Sequence, residues 1–450
     1  MKGRKHQPPL GGYESPRESS PPPGMLAPTE KTERRRASGP PVEDLERSSP
    51  SQPAFFHSST LDRIIISTAQ NGTRGRKVGV RDRIKCYQWT WFTMTMATGG
   101  VANVLSSVPF KAEWVTVIGT MFFFINLILF IMNIIFITLR FRWCPGSFIA
   151  SFTDQFESLF IPSSVVSVGI VFITVCEYGV PQVGPWLLKT MEVAFWIYIA
   201  VSTLTSAGMY LVLWSTQIFP IHTMTPIWVF PAYPLLLTAP FGSILISVAV
   251  NSQQPDQVNR VAVAVASVTT QGAAFLISYM VMAAFLYRLM TQKLPRDTQR
   301  PGIFVSIGPA AFTVAGIVGL GNQTKDIVPK SMAGADHAVI VFQLLSWMLG
   351  LWLWGLSMWF FLVSVGSLLK YIRPENRAKM PFQMTWFSFV FPNTALVTAT
   401  EQLARAFGSR PLEILACVLA GCLILVWLVV FLAMLKSLWR KQILWPKDAE

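Results

Sequence analysis

Residues Val115 to Leu139 read VTVIGTMFFFINLILFIMNIIFITL, without one charged side chain. Crossing the hydrocarbon core of a bilayer takes about 20 such residues. In lipid every backbone N–H and C=O must find a partner inside the protein, so a run of this kind is committed to helix. Comparable apolar runs recur along the chain, near 87–108, 115–139, 156–177, 190–213, 226–249, 261–287, 302–320, 338–368, 384–401 and 412–435. The sequence therefore predicts an all-α polytopic membrane protein with ten transmembrane helices. Only 13% of residues are charged against 52% hydrophobic, where a soluble domain carries about a quarter charged.

Three regions follow. Residues 1–85 are rich in Pro, Ser, Arg and Glu, as in ESPRESSPPPG and KTERRRASGPP. Such a composition cannot offset its ordering entropy by burial and predicts a disordered, basic cytoplasmic tail. Within it, Arg34-Arg35-Arg36 before Ser38 suits a kinase site, or more simply a solvated segment that touches anionic lipid. Residues 86–436 are expected to form the ten-helix transmembrane domain, and 437–450 a short cytoplasmic C-terminal tail. No N-terminal signal peptide is visible.

Basic residues collect on one set of loops: before the first span (Arg74, Arg76, Lys77, Arg81, Arg83, Lys85), then after the second (Arg140, Arg142), sixth (Arg288, Lys293, Arg296, Arg300), eighth (Lys370, Arg373, Arg377, Lys379) and tenth (Lys436, Arg440, Lys441). By the positive-inside rule both termini are cytoplasmic, with the plasma membrane the expected location. The net charge of +14 is explained by these loops and needs no nucleic acid. The five cysteines lack metal-ligand spacing and the four histidines are scattered, so neither a metal nor a cofactor is expected. No phosphate-cradling or zinc-type motif suggests an enzyme. The sequon at Asn322 lies too close to the end of the seventh span for glycosylation to be expected.

Helix breakers fall on alternate spans. The first carries Gly99-Gly100, the third Pro162, the fifth Pro231, Pro234 and Pro240, the seventh Pro309 and the ninth Pro392; the even spans carry no internal proline. Proline removes a backbone donor and displaces a carbonyl, which lipid cannot satisfy. Five broken helices thus belong inside, shielded by five smooth ones: five helical hairpins, with kinked inner helices lining a central pore. WVFPAYP (228–234) echoes SFVFPNT (388–394), and small or hydroxyl residues follow several of the prolines. For a single proline, tight helix packing is the simpler explanation. The alternation over the whole chain favours a conduit. Thr95, Thr98, Gly99, Gly100, Pro162, Ser163, Pro231, Pro309, Pro392, Asn393 and Thr394 are the expected pore-lining residues.

The permeant is then expected to be an anion. No chain of carboxylates or histidines crosses the bilayer centre, as a proton relay or cation path would require. Helix N-termini and Thr, Ser and Asn donors suit anions, and Arg288, Arg296 and Arg300 make a basic cytoplasmic mouth. Glu177, Glu192 and Glu401 lie at or near span ends, so any coupled proton is expected to ride largely with the substrate.

Four stretches, YQWTWFTMTMATGGV (87–101), TPIWVFPAYP with downstream NSQQP (225–255), QRPGIFVSIGPAAF (299–312) and WFSFVFPNTALV (386–397), resemble the tellurite-resistance/dicarboxylate transporter family and its fungal malic acid transport proteins. The resemblance spans roughly residues 85–445. It implies ten spans around one pore per subunit, often a trimer, and anionic substrates: malate, succinate and fumarate in one branch, sulfite in another, chloride and nitrate in plant relatives. It also implies that an aromatic beside the kink of the ninth helix plugs the pore, which is Phe391 here. The other reading of Phe391 is ordinary packed core. If it is not the plug, Phe92, Phe160, Phe230 and Phe312 are the remaining inner-helix candidates. A dicarboxylate carrier, a sulfite efflux protein of the same fold, and a receptor-like membrane protein that conducts nothing are the three competing functions. The alternating breakers disfavour the last.

Overall fold

The computed structural model describes residues 78–110, 112–377 and 379–446. The expected tail over residues 1–77, with its Arg34–Arg36 cluster, and residues 447–450 lie outside the described residues. The described end of that tail is already helical: Val80–Lys85 starts on Gly79, whose N–H donates to Asp82 Oδ2 at 3.3 Å, and buries Ile84. Folded structure thus begins before residue 86.

Long helices follow in chain order: α1 Phe92–Ser107, α2 Glu113–Trp143, α3 Pro162–Thr174, α4 Pro185–Thr216, α5 Thr238–Asn251, α6 Arg260–Gln292, α7 Gly308–Asn322, α8 Ala335–Leu368, α9 Phe391–Phe407 and α10 Arg410–Trp439. Eight of the segments they belong to are long and apolar enough to cross a membrane. The first and ninth do not reach that length and apolarity, although most of their residues are buried. The physical reason is their position. A helix surrounded by other helices has no lipid to face and is free to carry Thr, Asn, Gln and Glu.

The odd and even helices form two concentric layers. In the apolar windows of the third, fifth and seventh segments, 72, 78 and 94% of residues are buried; in those of the even segments the share runs from 17 to 33%. Neighbouring inner helices pack in the order α1, α3, α5, α7, α9, and α9 returns to α1, which closes the ring. Each outer helix lies over the groove between two inner ones, and α10 covers the seam between α9 and α1. Outer faces present Ile128, Leu204, Trp352 and Leu425, each more than 60% exposed, as lipid-facing helices must.

The breakers act differently from a mid-helix kink. Every inner helix is entered through a 3-10 segment: Trp89–Trp91, Ser158–Phe160, Pro226–Ala232, Asp297–Ile307 and Met384–Phe389. These segments are neighbours at one end of the ring, so the inner helices run parallel. Pro162, Pro309 and Pro392 occupy the first two positions of the α-helix that follows, and Pro234 does the same in the one-turn helix Tyr233–Leu236 before α5. There the missing N–H would have no intrahelical partner anyway, so the proline costs little. Pro231 lies inside the 3-10 segment itself. Gly99-Gly100 breaks nothing: α1 runs through both. Their role is close approach. A Cβ on Gly99 would lie 2.4 Å from Ile170 of α3 and 2.5 Å from Asn126 of α2, and one on Gly100 would lie 2.7 Å from Thr394 Oγ1 of α9.

Candidate functional site

All five inner helices contribute to one narrow cavity of about 20 Å³, room for about one water molecule. Its polar lining is Asn103 from α1, Ser243 from α5, and Thr394, Thr398 and Gln402 from α9. Ile170, Ile173, Leu237, Phe312 and Ala315 supply apolar wall. None of the lining side chains is ionisable. Thr394, Thr398 and Gln402 recur every four residues, so they form a single stripe on α9. Two of these residues accept hydrogen bonds from outside the cavity. Asn322 Nδ2 donates to Gln402 O at 3.2 Å, and Gln323 Nε2 donates to Ser243 Oγ at 3.1 Å. Trp347 Nε1 in turn donates to Asn322 Oδ1 at 3.0 Å, so the sequon side chain is structurally engaged.

Aromatic rings crowd the end of the cavity nearer the 3-10 segments. Phe391, 2% exposed, lies 5.2 Å from Phe312 and 5.7 Å from Tyr233, centroid to centroid, and Tyr233 and Phe312 are 6.2 Å apart edge to face. Three inner helices thus meet through three rings. The Tyr233 hydroxyl donates to Val305 O at 2.7 Å, which pins its ring to the 3-10 segment ahead of α7. Phe391 opens α9, and Thr394 Oγ1 donates back to Phe391 O at 2.6 Å.

Of the residues expected to line a pore, Gly100 and Thr394 border the cavity. The others point elsewhere. Thr98 accepts a hydrogen bond from Trp427 Nε1 of α10 at 3.1 Å, so it faces the outer layer. Gly99 faces α2 and α3. Thr95 shares a 2.7 Å hydrogen bond with Ser167 of α3, and Ser163 Oγ donates to Trp89 O at 3.1 Å; both tie inner helices together. Asn393 Nδ2 donates to Phe389 O at 2.7 Å, while its Oδ1 is buried without a partner. Pro162, Pro231, Pro309 and Pro392 are buried at or before helix starts.

The basic mouth needs the larger correction. Arg288 donates to Lys293 O at 2.7 Å and His222 O at 3.2 Å; Arg300 donates to Pro295 O at 3.1 Å and Ser367 O at 2.5 Å. Both guanidiniums are buried and committed to backbone carbonyls. They anchor the chain around the 3-10 segment Asp297–Ile307, and of the three arginines Arg296 alone is exposed. A buried guanidinium with several donors is a natural clamp for loop carbonyls. Sequence position alone cannot distinguish that use from a solvent-facing charge.

The cavity residues missed from sequence carry a usable signal. Thr398 and Gln402 continue the Thr394 stripe at helical spacing. Tyr233-Pro234 matches Phe391-Pro392 as an aromatic followed by proline at an α-helix start, three residues after the Phe230-Pro231 pair that the local echo selects. Asn103 and Ser243 each follow a breaker, Gly100 and Pro240, by three residues, about one helical turn.

Comparison with known proteins agrees with this architecture. A malic acid transport protein of Schizosaccharomyces pombe is 25% identical over 373 residues, covering 83% of each chain. A putative malic acid transport protein of the same yeast is 26% identical, covering 84% of this chain and 85% of its own. A sulfite efflux pump of Arthroderma benhamiae is 24% identical over 79% of this chain and 93% of its own. The profile of the voltage-dependent anion channels matches residues 86–435, from the start of the helix ring almost to the end of α10. With its ring of buried helices, lipid-facing outer layer and a cavity lined by all five inner helices, this chain belongs to the voltage-dependent anion channel family, whose members transport anions across membranes.

Proposed function

We propose that this protein carries C4-dicarboxylate anions such as malate, succinate and fumarate along the axis of the inner ring, with Phe391 as its gate. The observation that carries the reading is the cavity: five helices contribute to it, its polar side chains are neutral hydrogen-bond donors and acceptors, and three aromatic rings crowd one end. Asn103, Thr398 and Gln402 join Gly100 and Thr394 as the proposed lining. The choice of dicarboxylate is supported by the two relatives that bear the name of malic acid transport proteins. Sulfite efflux is the second reading, favoured by the similar coverage of a sulfite efflux pump.

In this reading α1 and α9 cross the membrane with the other eight segments, both termini lie in the cytoplasm and the membrane is the plasma membrane. Arg81, Arg83 and Lys85 before α1, and Lys436, Arg440 and Lys441 at the end of α10, support that orientation. Residues 1–85 are a cytoplasmic tail that takes no part in the path. A trimer with one path per subunit is the proposed assembly.

Labelled malate uptake in cells lacking their own carrier tests the substrate. Uptake is expected to depend on this protein and to fall with excess succinate more than with excess sulfite. Strong competition by sulfite with none by succinate selects the second reading.

A further inference from the structure

At the end of the cavity remote from the aromatic rings, α9 buries a carboxylate. Glu401 has 0% of its surface exposed. Ser107 Oγ, at the end of α1, donates to Glu401 Oε2 at 2.5 Å, while Oε1 is buried without a partner. The next residue, Gln402, lines the cavity. Glu401 therefore joins two inner helices immediately beside the proposed route.

The groups around it are few. Arg405, one turn along α9, is close enough to act on the carboxylate charge, but its guanidinium donates to Ser107 O. Cys417 is the titratable neighbour from α10; Arg410 and Glu413 of that helix lie 4.0 Å apart as a pair of their own. Across α1, Ser106 donates to Glu177, and Asn103 with its amide turned also reaches Glu177, at 2.7 Å. Glu177 lies in a π-turn, Val175–Gly179, of the third segment. Helices α8 and α7 approach the neighbouring positions through Trp354, which donates to Thr400, and Asn322, which donates to Gln402.

An ionised carboxylate that is buried with one oxygen unpaired is poorly compensated. Its charge also opposes an anion in the adjacent cavity, where the low dielectric weakens screening. A proton removes both penalties, and the hydroxyl of Ser107 keeps the two helices joined in either state. We propose that Glu401 is a proton-binding site of the transport reaction: with the proton bound the path admits an anion, and with it released the carboxylate holds anions off. The proton then resides on the protein in addition to any that the substrate carries, contrary to the expectation from span positions alone. This inference rests on the axial route proposed above.

The test measures flux per surface molecule against pH, with total malate adjusted so that the monoanion concentration is the same at every pH. A second series fixes the dianion in the same way, so that substrate protonation drops out of the series that holds the carried form constant, and the two series are read together. Wild-type flux is expected to rise as pH falls, by about tenfold per pH unit on the alkaline side of the midpoint, the slope of a single protonation. Glu401→Gln is expected to be flat with pH at close to the wild-type acid value. A Glu401→Gln profile that follows the wild type overturns the proposal. Should that variant fail to reach the surface, Ser107→Ala decides: a displaced midpoint supports the site, and an unmoved one overturns it. Wild-type protein that moves malate with no pH dependence under these conditions also overturns it. Wild type that moves no anion at any pH contradicts the axial route itself.

Discussion

Phe391→Ala is expected to raise anion flux per surface molecule. Its ring contacts Phe312 and Tyr233, and each aromatic pair contributes about 0.5–1.5 kcal/mol beyond simple burial. Turning the ring aside sacrifices both contacts, a barrier of about 1–3 kcal/mol that truncation to Ala removes. The corresponding gain is about ten- to a hundredfold, since about 1.4 kcal/mol is one decade in rate. A ring that serves only as packing gives the opposite result. Its loss costs about 3–5 kcal/mol of stability, and flux from the surviving molecules does not rise. Flux normalised to surface protein separates the two. Phe312→Ala is the informative companion, because its ring lines the cavity and also touches both others. A larger gain there than at Phe391 moves the gate to α7.

The second large effect concerns folding. Arg140 and Glu157 form an ion pair with both side chains essentially buried, 0 and 1% exposed. Arg140 Nη2 donates to Glu157 Oε2 at 3.0 Å, and the Trp89 N–H donates to Oε1 at 3.3 Å. Asp154 Oδ1 accepts from the Glu157 N–H at 2.7 Å, which fixes the backbone beneath the pair. The end of α2 is thus tied both to the 3-10 segment before α1 and to the chain leading into α3. Removing one partner leaves an uncompensated buried charge, at a cost of about 3–5 kcal/mol. Glu157→Ala is therefore expected to lower the amount of folded protein severely. The double variant Arg140→Met/Glu157→Leu is expected to recover much of it, because an apolar pair of similar volume often replaces a buried ion pair without loss. Thermal unfolding in detergent checks both. Equal stability of Glu157→Ala and wild type contradicts the role of the pair.

Much of the architecture was legible because lipid imposes rules that act on sequence directly. A run such as Val115–Leu139 has one stable state in a bilayer. Prolines restricted to alternate spans separate inner from outer helices, and the burial of the segments follows that division. The local form of the break was less legible. A proline in an apolar run is compatible with a kinked α-helix or with a 3-10 segment leading into a fresh α-helix. The choice depends on whether the preceding turn can bond its carbonyls, which is settled by packing. Length and hydropathy also understate α1 and α9, since helices shielded by others need not be apolar.

The site was legible in part. Gly100 and Thr394 both border the cavity and pack directly against each other, because a residue without a side chain lets α1 approach α9 closely. Thr98 and Gly99 are their sequence neighbours, yet they face outward. Successive helix residues turn by about 100°, and no motif fixes which of them faces the axis. Arg140 shows the same limit for charge. It counts toward the basic loops by position, but its guanidinium is wholly buried against Glu157.

In the proposed route anions travel through the cavity lined by α1, α3, α5, α7 and α9. Ala315 of α7 lines that cavity and is 4% exposed. Ala315→Leu adds bulk to a space of about 20 Å³, at a folding cost of about 1–3 kcal/mol. The decisive measurement is labelled malate flux into liposomes containing purified Phe391→Ala or Phe391→Ala/Ala315→Leu protein, at equal amounts of folded protein. The added leucine is expected to return the raised flux to wild-type level or below. Undiminished flux through the double variant would contradict this expectation and place the route outside the ring axis.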